Sequence, residues 1–116
     1  MSAATLNITI EQGATFTRTF TVEENAAPKD ITGYTVRGQV RKKKQDAVPT
    51  LTFVTNISDP TNGVFDISLT ATITAAISGL KEVPVDYLWD LEYESPGGVV
   101  TRLVEGTASL VPEVTK

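Results

Sequence analysis

The stretch Val83-Pro84-Val85-Asp86-Tyr87-Leu88-Trp89-Asp90-Leu91-Glu92-Tyr93 decides the fold. Val83, Val85, Tyr87, Trp89, Leu91 and Tyr93 share one parity, and Asp86, Asp90 and Glu92 the other, which is the period of a half-buried strand. Tyr87 and Trp89 are therefore expected to anchor a core, with the carboxylates on the opposite face.

The same alternation recurs outward from this strand. Towards the C-terminus, Ser95-Pro96-Gly97-Gly98 reads as a hairpin connection into a last strand from Val99 to Val111, bent at Gly106 and ended by Pro112. Towards the N-terminus, the spacing of Ile73, Ala76 and Ile77 predicts one short helix near residues 71–79, capped by Thr70 or Thr72 and ended at Gly79. Phe65, Ile67 and Leu69 form a strand preceded by the turn formers Ser58 to Gly63, in which Asn62-Gly63 suits the positive φ angles of a hairpin turn. Leu51, Phe53 and Ile57 form the strand before that turn. Tyr34, Val36, Gly38 and Val40 alternate with Arg37, Gln39 and Arg41, with Gly38 as a bulge or close-packing point. Phe16, Phe20 and Val22 make an aromatic inner face backed by Thr15, Thr17, Thr19 and Thr21, and Arg18, on the apolar side, suggests a sheet edge. Leu6, Ile8 and Ile10 give the first strand.

The count is seven strands and one short helix in 116 residues, which suits a single domain, 1–116, with residues 1–5 and 113–116 as flexible ends. Val, Ile and Thr supply 13, 7 and 18 residues, and branching at Cβ favours a pleated surface. The expected class is all-β, a mostly antiparallel sandwich, with a partly closed barrel as its rival.

Composition excludes much chemistry. There is no Cys and no His, which removes disulfides, thiolates, most zinc sites and the commonest general base. No G-x-S-x-G elbow or phosphate-cradling glycine loop is present. The net charge of −4 argues against nucleic-acid binding, and no apolar run reaches the roughly 20 residues that span a bilayer. The start, Met1-Ser2-Ala3-Ala4-Thr5, lacks the form of a secretion signal, so the sequons at Asn7-Ile8-Thr9 and Asn56-Ile57-Ser58 read as chance matches.

Four features hold residue types suited to chemistry or contact. Asp86, Asp90 and Glu92 on one strand face hold the residue types of a glycosidase pair, but alternation alone puts carboxylates on a solvated face. Asp59 and Asn62 offer calcium-type oxygens, yet turn chemistry accounts for both. Trp89, by its parity, is core and not ligand pocket. The basic run Arg41, Lys42, Lys43 and Lys44 is the sharpest charge feature and the candidate interface, set against the plainer reading of a solvated hairpin end. The expectation is no enzyme, no cofactor and no metal.

Three segments in order, Ile10-Glu11-Gln12-Gly13-Ala14-Thr15-Phe16, Asp30-Ile31-Thr32-Gly33-Tyr34-Thr35-Val36-Arg37-Gly38-Gln39-Val40-Arg41 and Tyr87-Leu88-Trp89-Asp90-Leu91-Glu92, with the ending Gly97 to Thr115, resemble the immunoglobulin-like N-terminal module of phage baseplate upper proteins. The likeness runs from Ile8 onwards. It implies an immunoglobulin-like β-sandwich that docks on other virion proteins, and on copies of itself, without catalytic residues. Expected localisation is the virion, assembled in the host cytoplasm. The helices and receptor-binding platform that follow this module in baseplate upper proteins are not in these residues, so a tail, baseplate or fibre-attachment role stands first and capsid decoration second. A carbohydrate-binding module is a remoter reading, because only Tyr34, Tyr87, Trp89 and Tyr93 are available as platforms and parity buries most of them.

Overall fold

Alternating β-branched and aromatic residues put most of the chain into strands, and two sheets face each other across the apolar side of that alternation. A computed structural model describes residues 4–77, 79–80 and 83–115. The larger sheet has β10 (Val85–Glu94) at its centre, antiparallel to β6 (Thr35–Arg41) on one side and to β11 (Val100–Val111) on the other. Beyond β6 lies the two-residue β7 (Leu51–Thr52), while β1 (Ala4–Thr5) and β2 (Ile8–Glu11) both run parallel to β11 at the opposite edge. The smaller sheet is antiparallel in the order β3 (Phe16–Thr21), β9 (Val64–Leu69), β8 (Val54–Asp59). The all-β, mostly antiparallel class expected from the sequence is what the chain forms.

The core lies between the sheets. Ile10, Val40, Leu91, Ala108 and Leu110 from the larger sheet and Phe65, Ile67 and Leu69 from the smaller one are all buried. Phe53 bridges the layers, its ring 5.9 Å from Phe16 and 6.0 Å edge-on to Trp89. The side chain of Trp89, 3% exposed, is core as its parity demanded, and its indole Nε1 donates to the Leu6 carbonyl at 2.9 Å.

Eleven strands, not seven, arise among the described residues, and each departure has a local cause. Leu51 to Ile57, expected as one strand, leaves the larger sheet at Phe53, whose amide still donates to Gly38, and continues as β8 in the smaller sheet. The polar stretch Glu24 to Lys29, which reads in sequence as a loop, folds with Glu23 into the short hairpin β4 (Glu23–Glu24) and β5 (Ala27–Pro28), turned by Asn25 and Ala26 with φ of 55° and 64°. Such paired positive angles were expected at Asn62-Gly63; there the chain makes a 3-10 turn, Pro60–Asn62, and only Gly63 is left-handed. Gly63 is fixed by crowding too, because a Cβ on it would meet the carbonyls of Lys29 and Val22 at 2.6 Å. The first strand is split in two at Leu6-Asn7. Leu6 turns its carbonyl to Trp89, and the Asn7 side chain, in its place, accepts from the Thr107 amide at 3.1 Å.

The helix, expected near 71–79, is α1 (Ala71–Ala75), with Thr70 accepting from the Ile73 amide at 3.2 Å. It stops early because buried Thr74 donates its hydroxyl to the Ala14 carbonyl and Gln12 holds the Ile77 carbonyl at 3.1 Å. Part of the ends expected to fray is tied: Ala4 and Thr5 pair with Val104 and Glu105, and the Glu113 amide donates to Gln12 Oε1 at 3.1 Å. Residues 1–3 and 116 lie outside the described residues.

Candidate docking surface

The outer face of the larger sheet collects the charged and polar side chains that alternation turns away from the core. Along β6 these are Arg37, Gln39 and Arg41, and along β10 Asp90, Glu92 and Glu94. Register brings them together, since Arg37 lies opposite Glu92 and Gln39 opposite Asp90. Arg37 bridges two carboxylates, 2.6 Å to Glu92 and 3.0 Å to Glu94, which raise its pKa and hold it ionised.

A fold irregularity supplies the other cation. Leu91 pairs with Val104 but Glu92 with Arg102, so Leu103 is an extra residue bulged out of β11. The bulge reverses the parity of the strand beyond it and brings Arg102 to the outer face, 3.4 Å from Asp90 and 4.0 Å from Glu105. The bend was expected at Gly106. That glycine serves another purpose: a Cβ there would collide with the Leu6 carbonyl, so its absence lets the N-terminal strand cross over. Burial raises the Asp90 carboxyl above its ordinary value, and the attraction of Arg102 offsets only part of that.

The three carboxylates weighed for glycosidase chemistry are thus two ion-paired rungs, Asp90 and Glu92, and one exposed residue, Asp86. Asp59 accepts from Thr61 and Asn62, as turn chemistry requires. Tyr87 and Trp89 are buried, while Tyr34 and Tyr93 pack on each other at 5.0 Å.

The basic run begins where β6 ends. Arg41 is held back, donating to the Asp46 carbonyl at 2.9 Å and to Gln39 Oε1 at 2.6 Å. Lys42, Lys43 and Lys44 follow on an exposed turn that Asp46 closes by bonding the Lys43 amide and carbonyl. Among the described residues none of these three lysines is in an ion pair. Lys44 and Arg41 overlook an open depression of about 750 Å³ whose floor is the ion-paired face, and Thr5 lines its far edge. Sequence reading found the lysines and the face parity of Arg37; it gave Arg102 no place, because nothing in the sequence marks Leu103 as the bulge.

Two sheets with an ion-paired outer face and a protruding cationic turn define a β-sandwich that offers surface for contact. The chain belongs to the BppU N-terminal domain family, the N-terminal domain of phage baseplate upper proteins, whose match covers residues 2–78. That family is a structural domain of the phage baseplate. No curated protein matches the chain. Among solved structures, the N-terminal domain of ORF48 of phage TP901-1 aligns over 98% of this chain and 100% of its own, at 12% identity and a TM-score of 0.42.

Proposed function

We propose that the chain is a non-catalytic assembly module of a phage tail or baseplate, acting as one domain through protein–protein contacts, with the Lys42–Lys44 turn and the face beside it as the docking surface. The observation that carries the placement is family membership over residues 2–78. Three exposed lysines beside a sheet face on which Arg37, Arg102, Asp90 and Glu92 are already paired give a neighbouring acidic subunit a cationic grip without breaking internal ion pairs. Other virion proteins are the expected partners, and neither a nucleic acid nor a membrane is required. Among the described residues no helix is long and apolar enough to cross a membrane.

Gold-labelled antibody on intact particles of the encoding phage tests the placement. Label at the tail or baseplate is expected; label over the head would replace this reading with capsid decoration, and unlabelled particles would overturn it.

A further inference from the structure

Among the described residues no strand pairs with the outer side of β3, so the smaller sheet has one long open edge. In β3·β9 the register runs unbroken from Phe16↔Leu69 to Thr21↔Val64, and the Val22 amide donates to the Gly63 carbonyl at 2.8 Å. Hydrogen-bonded pairs alternate along an antiparallel ladder, so Phe16, Arg18 and Phe20, in phase with Val22, exchange bonds with β9. Thr17, Thr19 and Thr21 therefore aim their amides and carbonyls at the open side. The β4–β5 hairpin does not cover them, because Lys29 returns to the Val22 carbonyl and Ile31 to Pro60, on the side of the Gly63 turn. All three threonines are exposed.

The other sheet edges are blunted. β7 has two residues, β1 and β2 are separated at Leu6-Asn7, and β8 carries a register shift and is tied to β6 through Thr55 Oγ1 and the Val36 carbonyl. β3 has six residues, with no proline, no lysine and no bulge, and its one charge is the exposed Arg18 on the inner side.

We propose that β3 pairs with β3 of a second copy of this chain, antiparallel about a two-fold axis through Thr19, joining the two smaller sheets into one of six strands. Such an axis keeps inner face beside inner face only if it passes through a residue, and of the residue centres those on Arg18 and Thr19 pair the most of Phe16–Thr21. The Arg18 centre sets two guanidinium groups directly opposite one another, which is destabilising. The Thr19 centre pairs Thr17 with the partner's Thr21 and Thr19 with the partner's Thr19, and these residues carry the outward amides and carbonyls. It also sets Arg18 against the partner's Phe20, a cation beside an aromatic ring, on the inner side at both ends. The segment Thr17-Arg18-Thr19-Phe20-Thr21 is self-complementary in this one register. The pairing is a property of β3 and goes beyond any place in a phage particle.

The chain has no cysteine, so single thiols report the register. Three variants, Thr19→Cys, Thr17→Cys and Thr21→Cys, are treated at high protein concentration with dibromobimane, a short reagent that fluoresces on bridging two thiols, and sedimentation equilibrium of the unaltered chain is run alongside. Thr19→Cys is expected to give covalent dimer, and Thr17→Cys mixed with Thr21→Cys likewise. Thr17→Cys alone should give at least tenfold less, its two thiols lying about 13 Å apart along the ladder. The unaltered chain should show a concentration-dependent doubling of mass. A chain that stays monomeric with no bridged Thr19→Cys overturns the pairing and leaves the edge to a strand of another protein. Equal bridging of Thr17→Cys alone and Thr19→Cys overturns it as well, since collisions without register would give that.

Discussion

At Ala26 the backbone takes φ of 64°, a left-handed angle at which Cβ crowds the following carbonyl at a cost of about 1–2 kcal/mol. Glycine removes that crowding but gains freedom in the unfolded chain, so Ala26→Gly should stabilise the fold by about 0.5–1 kcal/mol net, read as a higher urea midpoint with an unchanged slope. Asp90 gives a prediction with a pH sign. Burial lifts its carboxyl above the ordinary 3.8, so the folded chain holds that proton more tightly than the unfolded chain does. The stability contributed by the proton is full below 3.8 and is lost as pH rises through the folded value. Asp90→Asn has no such proton to lose. Its stability relative to the parent should climb through that window and level off above it, as urea midpoints on either side of 3.8 will show. A flat difference would mean that Arg102 cancels the effect of burial in full.

Between residues and the whole stand the strands, and the break between β1 and β2 is the place to probe them. Gly106→Ala should push the Leu6 carbonyl off the Trp89 indole and release β1 from Val104 and Glu105. The expected loss is about 1–3 kcal/mol, together with faster amide exchange at Leu6, whose amide donates to Glu105 at 2.9 Å. Strand existence was legible wherever one face is buried, as in β6, β9 and β10, because alternation records burial directly. The breaks within strands were not legible. The sheet change at Phe53 and the Leu103 bulge depend on which strand lies alongside, and pairing is a long-range property that no local pattern holds. The Asn25-Ala26 turn was missed for a related reason: alanine is a poor left-handed residue, so nothing local advertises it.

For the molecule as a whole, the proposed docking surface is legible only in part: three lysines stand out in sequence, whereas the arginine–carboxylate rungs beside them need the register of three strands. Replacing Lys42, Lys43 and Lys44 by alanine removes no internal ion pair of the described residues, so stability should stay within about 0.5 kcal/mol of the parent. Incorporation into particles, measured by quantitative mass spectrometry of purified virions, should fall. Normal incorporation would mean that the lysine turn is not the docking surface. The parallel pairing of β2 with β11 adds a mechanical consequence. A pull backward from Ile8 and forward from Val111 runs along these two strands and not across them, so the bonds joining Ile8–Glu11 to Ala108–Val111 are loaded together, in shear. Under such a pull they yield all at once rather than one after another, so resistance to it is set by the rate of that rupture.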